Sequence, residues 1–580
     1  MKSETKTCQN CRNDFTIEPD DFGFYEKIGV PPPTFCPDCR MQRRFAWRNE
    51  RSLHRNKCAL TEKSVISGFS PESRVVVYNR DVWWSDDWDP MAFGMNYDFS
   101  KPFFAQFYEL LHRAPMPSVF NARTVNTPYA QHTGDFRNGY LVFASWGGEN
   151  VSYSARVSNV KDSMDVFAIS DSELCYELIS GKKCYKVLFS QEVEECNNSA
   201  FLYECRGCSD CFGCVNLRSK SYHIFNKPYS REAYFEKLKE FDLGDSVQLE
   251  KIQRQFEDLK KKSIHKYANI TNAPLCTGDN ITNAYNCKDS FDVYGDVRDC
   301  RYVQNTAQGM KDSYDGYGVG ASADLLYEVF DTGAQGSRIY FGACNYGGHD
   351  VIYSYNCHGS QDCFGCIGLR SKSYCILNKQ YSKEEYSELL PKIIEHMNTM
   401  PYVDKRGRVY KYGEFFPAEL SPFGYNETIA TEYFPLSKKE IEDEGYKWRP
   451  PEKRDYKVDI KSDDIARKIQ GVDESILGKT IECLHQGKCN EQCTEAFKII
   501  PEELNFYKKL NLPLPKLCSN CRHYQRLKKR NPLKLWHRRC MCEIEKHGHQ
   551  GVCPNEFETS YAPERPEIIY CERCYQQEVY

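Results

Sequence analysis

The chain has 580 residues, too many for a single hydrophobic core, so three or more structural units are expected. Its 77 Lys and Arg stand against 81 Asp and Glu, and the net charge of −4 excludes a global pull toward nucleic acid; any basic surface must be local. A mean hydropathy of −0.66 with no long apolar run excludes a membrane span, and the charged opening MKSETKTCQN lacks the apolar core of a signal peptide. The thirty cysteines are therefore expected in a reducing, cytoplasmic setting, where thiolates bind metal or pack as small hydrophobes.

Residues 1–60 read as a zinc ribbon followed by a basic helix. Cys8-x2-Cys11 and Cys36-x2-Cys39 form two knuckles that complete a tetrahedral shell, with Phe15, Ile17, Phe24 and Tyr25 as the small core beneath. Arg40, Arg44, Arg48, Arg51 and Arg55 then recur at steps of three and four, one face of a helix. Glu50 is the only acid among them, so phosphate contact is the expectation and pairing with distant acids the alternative. Residues 61–125 hold a tryptophan cluster, Trp83, Trp84 and Trp88, read as core, and a helix with Phe103, Phe107, Leu110 and Leu111 on one side.

From about 138 the texture changes to short apolar strokes opened by Asn, Asp, Glu or Lys, at steps of about twelve residues. KDSMDVF, KDSFDVY and KDSYDGY are recognisable repeats, and two steps make the twenty-four residues expected of one β-solenoid coil. CSDCFGCVNLRSKSY (208–222) returns as SQDCFGCIGLRSKSY (360–374), so the solenoid is duplicated. Its halves are set at 126–235 and 270–398, joined by a linking helix at 236–269. The run Cys205, Cys208, Cys211 and Cys214 resembles a cluster-binding motif, but its second copy has Ser360 in place of one cysteine, which favours packing. Residues 399–480 read as an ordered connector.

A second ribbon, 481–540, is framed by Cys489-x3-Cys493 and Cys518-x2-Cys521. At an offset of 482, Cys493, Cys518 and Cys521 fall on Cys11, Cys36 and Cys39. Arg522, Arg526 and Arg530 fall on Arg40, Arg44 and Arg48, with Lys529 adding to the basic run. The last finger, 541–580, offers Cys553, Cys571 and Cys574, with Cys542, Cys540 or His549 as fourth ligand. Laying 561–576 over 69–84 puts Cys571 and Cys574 on Asn79 and Val82, while Cys540 matches Cys58, so 58–84 reads as a finger that has lost its metal.

The segments CQNC, DFTI, FGFY, VPPP and CPDCR, repeated as NEQC, AFKI, NFY, LPLP and CSNCR, resemble the signature of a zinc-ribbon family, and the overall layout resembles large proteins of candidate-phylum bacteria. The resemblance implies a fold and no activity.

The expected architecture is thus multidomain and mainly β: a central β-solenoid in two halves, flanked by zinc modules holding about three zinc ions. With all four ligands protein thiolates, such zincs are closed and structural. The expected function is non-enzymatic binding of structured RNA or a ribonucleoprotein through the basic segments. A protein–protein scaffold is the first alternative. A polysaccharide-acting enzyme is the second, with Asp162, Asp165, Asp289, Asp292, Asp312 and Asp315 as a carboxylate row.

Overall fold

The backbone of the central region turns a corner at almost every third residue. Asp162, Asp165, Ala168, Asp171 and Leu174 all have φ between 43° and 56°, and the pattern runs through both halves. A side chain at positive φ costs about 1–2 kcal/mol, less for Asn and Asp. No Val, Ile or Thr occupies such a corner among the described residues, 2–306, 308–452 and 457–580 of this computed structural model. Branching at Cβ would aggravate the clash. The residue after each corner points inward instead: Val160, Ser163, Val166, Ile169, Ser172 and Cys175 follow one another at steps of three, all buried.

These corners set the coil length. Strands pair in parallel with their neighbours twelve residues on, as Ser158 with Ser170 and Val160 with Ser172. The second half includes thirteen-residue coils, as Lys311 against Asp324. One coil is therefore four sides of three residues, half the twenty-four expected, because left-handed corners let the chain turn after a single inward residue. Two eleven-stranded sheets result, Ala122–Pro228 and Ile270–Gln380 in extent.

The narrow interior is filled mainly by small or branched residues, with Phe136 and Met310 as larger ones. Val, Ile, Leu and Cys fill it, and buried serines stitch successive coils: Ser163 Oγ donates to the Lys161 carbonyl at 2.7 Å and accepts from Cys175 N at 3.0 Å. Cys205, Cys208, Cys211 and Cys214 are the four inward residues of one coil. Burial pushes the thiol of Cys175, on an earlier coil, up to about 12, as befits packing. Outside, corner amides form ladders: Asn138 Nδ2 reaches Asn150 Oδ1 at 2.9 Å, and Asn150 Nδ2 reaches Asp162 Oδ1 at 2.8 Å.

Each stack is closed at its end. Asn226 and Asn378 bond both backbone groups of Val215 and Ile367, a short antiparallel strand covers the edge, and a helix follows, capped by Ser230 or Ser382. The abundant tyrosines lie mainly outside the coils, under the flanking modules, where Tyr314, Tyr317, Tyr327 and Tyr353 join Phe24, Tyr25 and Phe45 in one core. The connector contributes Phe415 and Phe416 to that core, the latter 5.0 Å from Trp47.

The corner rule is testable at an exposed position. Lys186, at φ 52°, points away from the interior. Lys186→Val should lower the unfolding free energy by about 1–2 kcal/mol in urea titration, while Lys186→Asn should not.

Candidate metal centres

Four modules of one design flank the solenoid. In each, an antiparallel hairpin is followed by a helix. One ligand position lies just after the first strand, one three residues before the second strand, one at the helix N-cap, and one in its first turn.

In the first module the strands are Glu4–Thr7 and Asp14–Ile17, and the helix is Pro37–Phe45. Cys8, Cys11, Cys36 and Cys39 take the four positions, with ligand atoms within 4.8 Å of one another. Cys11 Sγ and Cys36 Sγ are 3.7 Å apart, and Cys36 N–H donates to Cys8 Sγ at 3.3 Å. Donation to sulfur stabilises the thiolate form, which is the form that ligates.

In the C-terminal ribbon-like module the strands are Ile481–Glu482 and Ala496–Phe497, and the helix is Ser519–Lys528. The quartet here is Cys483, Cys493, Cys518 and Cys521, not the expected set with Cys489. Cys518 N–H donates to Cys483 Sγ at 3.3 Å, the counterpart of the Cys36 bond to Cys8. The hairpin loop is longer in this copy and carries Cys489 as a supernumerary thiol, 3.7 Å from Cys521 Sγ and only half-buried. The Cys489-x3-Cys493 spacing imitated a knuckle, whereas the true partner lies ten residues before Cys493. Hydrogen bonding with Cys483 draws the Cys493 thiol down to about 6.

The last module has strands Trp536–Arg539 and Glu556–Thr559 and helix Glu572–Val579. Its quartet is Cys540, Cys553, Cys571 and Cys574, so of the three candidates for the fourth ligand Cys540 takes the position, and Cys542 and His549 lie outside this quartet. Cys571 N–H donates to Cys540 Sγ at 3.2 Å, the same bond a third time. Each of these three quartets could hold a zinc ion, since four converging sulfurs suit its tetrahedral preference.

The remaining module follows the first along the chain. Strands His54–Lys57 and Ser64–Ser67 and helix Arg80–Trp84 place Cys58, Thr61, Asn79 and Val82 at the four ligand positions. Asn79 caps the helix by accepting from Asp81 N at 2.9 Å, in the place of Cys571. Next to Val82, Trp83 is fully buried, donates Nε1–H to the Pro115 carbonyl at 2.9 Å and has Arg370 5.6 Å over its ring. Trp84, by contrast, is largely exposed.

The basic residues are mostly not displayed. Arg40 and Arg44 are buried and bond both oxygens of Asp315 at 3.0 Å, and Arg44 also reaches Glu328 at 2.9 Å. Arg43, outside the three-and-four spacing of the others, bridges Glu328 and Glu414 at 2.8 Å each. Arg48 joins Glu50 at 3.1 Å and Asp331 at 2.5 Å. In the second copy Arg522 and Arg526 meet Asp165 at 3.2 and 2.8 Å, Arg526 also meets Glu177 at 2.9 Å, and Arg530 meets Asp292 at 2.5 Å. Arg51 packs over the Phe143 ring at 4.7 Å. Only Arg55 and Lys529 of the nine are exposed, and Lys529 lies 4.0 Å from Glu177. For the other seven the expectation of phosphate contact is corrected: six of them have their acids on the solenoid, and Arg51 is stacked on a ring.

The two copies are related crosswise. Asp315 and Glu328 stand 150 and 151 residues beyond Asp165 and Glu177, close to the offset of 152 between the repeats at 208 and 360, the drift coming from the thirteen-residue coils of the second half. The N-terminal module therefore docks on the second half, and the C-terminal module docks on the first through the matching contacts. The aromatic contacts repeat too, Tyr25 lying 5.5 Å from Tyr327 and Tyr507 5.9 Å from Tyr176.

Most acids of the expected carboxylate row are occupied structurally, and Asp312 pairs with Lys27 at 3.1 Å. All six sit at positive-φ corners, and Asp165, Asp292 and Asp315 pair with buried arginines while Asp162 ends an amide ladder.

No protein-family model matches the chain, and no curated protein is similar to it.

The reassigned ligand gives a direct test. Cys483→Ser should remove one zinc ion per chain by elemental analysis, whereas Cys489→Ser should leave the content unchanged.

Proposed function

We propose that the chain is a structural zinc protein and a protein–protein scaffold, in which zinc modules clamp a long rigid solenoid. The modules look like zinc ribbons, and their zincs, ligated by four thiolates, would have no open position for an activated water. The observation that carries this reading is the burial of the module arginines against solenoid carboxylates. Those guanidiniums are the ones a nucleic-acid interface would have used, and they are committed inside the molecule. What faces solvent on the coils is a regular lattice of corner side chains with single exposed aromatics such as Trp146 and Tyr185, a surface suited to repeated, shape-based contact with other proteins.

An RNA-binding role makes the opposite demand on salt. Neutralising several phosphates would make affinity fall by orders of magnitude between roughly 50 and 200 mM salt. Fluorescence anisotropy with labelled structured RNA and single-stranded RNA should show no such salt-dependent binding by the full chain. A steep salt slope that is lost on reversing Arg55 and Lys529 to Glu would return the RNA reading.

A further inference from the structure

In the last module a second set of donors stands against the first. Cys542 Sγ, Cys574 Sγ and one ring nitrogen each of His547 and His549 lie within 4.8 Å of one another. Cys542 Sγ is 3.1 Å from His547 Nδ1, and Cys574 Sγ is 3.6 Å from His549 Nε2. Cys542, His547 and Cys574 are buried.

The far side of each imidazole fixes what the near side offers. His547 Nε2 lies 3.0 Å from Glu578 Oε1, and His549 Nδ1 lies 2.9 Å from the Gly551 carbonyl. Both partners are acceptors, so both far nitrogens carry the proton. In the neutral imidazoles the lone pairs of His547 Nδ1 and His549 Nε2 therefore face the two sulfurs. Two imidazole lone pairs and two thiol sulfurs converging on one buried point call for a cation. Orientation of ligating imidazoles by a carboxylate and a backbone carbonyl is the usual second layer of such a site.

We propose that the last module binds two metal ions. One is held by Cys540, Cys553, Cys571 and Cys574. The other, of zinc type, is held by Cys542, His547, His549 and Cys574, with the Cys574 thiolate bridging the pair. Two thiolates and two neutral imidazoles form an ordinary closed zinc shell. His485, Cys489, Glu491 and Cys521 also lie within 4.8 Å of one another, but there the Glu491 carboxylate is already paired with Lys528 and lies 3.2 Å from His485.

The inference rests on the quartets holding zinc, and one experiment separates the two claims. Full-length protein purified under reducing conditions is analysed for zinc, alongside a His547→Ala/His549→Ala variant. The expected result is four ions per chain, falling to three or fewer in the variant. After Co2+ substitution, the wild type should add to the four-sulfur spectrum a two-sulfur, two-nitrogen component that the variant lacks. A wild-type count of three overturns the second ion while leaving the quartets intact, and a count near zero overturns both. Four ions retained in the variant would place the extra ion elsewhere and also overturn the proposal.

Discussion

The structure depends on arginines buried against carboxylates that belong to another part of the chain. Arg40, Arg43 and Arg44 surround Asp315 and Glu328, and all five side chains are almost wholly withdrawn from water. Burying charge costs several kcal/mol per ion, which only close, multiply bonded geometry offsets. Such a cluster adds little net stability over an apolar one, but removing one member costs about 3–5 kcal/mol because its partners are left charged and dry. Its value is in fixing one arrangement: only Asp or Glu at those corners satisfies a guanidinium there, so each module finds a single place on the solenoid.

The metal quartets and the arginine clusters are two ends of one device. Cys36 caps the helix Pro37–Phe45 and Cys39 sits in its first turn, so a bound ion would fix the helix start. Arg40, Arg43 and Arg44 follow at once, and their fork-shaped donors suit carboxylates better than lysine would. Cys518, Cys521, Arg522 and Arg526 repeat the device on the other half. The docking is crosswise, N-terminal module to second half and C-terminal module to first, and Arg48 contacts Asp331 of the second half and His132 of the first, 2.8 Å away. The halves are thus tied together by the termini rather than by the linking helix alone.

Much of this was legible in the sequence, and the failures have physical causes. The duplication, the solenoid and most thiol ligands followed from spacing. The coil length did not, because a twelve-residue stroke reads as half a coil unless the finer period of three, visible as Val160, Ser163, Val166, Ile169 and Ser172, shows that four corners fit within it. Cys483 was missed because loop length between hairpin strands is free to vary, so a nearer cysteine with knuckle-like spacing stood in for it. The arginines were misread because a sequence shows local charge balance only. Asp315 and Glu328 are 271 and 284 residues from Arg44, and nothing in their own segment distinguishes them from turn residues.

The most direct test of crosswise clamping is hydrogen exchange on two single-site variants. If metal fixes each helix and the helix fixes its docking site, Cys36→Ser should lower amide protection in the strands Lys311–Tyr317 and Asp324–Phe330 and spare Ser158–Lys182. Cys518→Ser should do the reverse. Protection lost only within each module, or lost in the half nearer in sequence, would contradict the account.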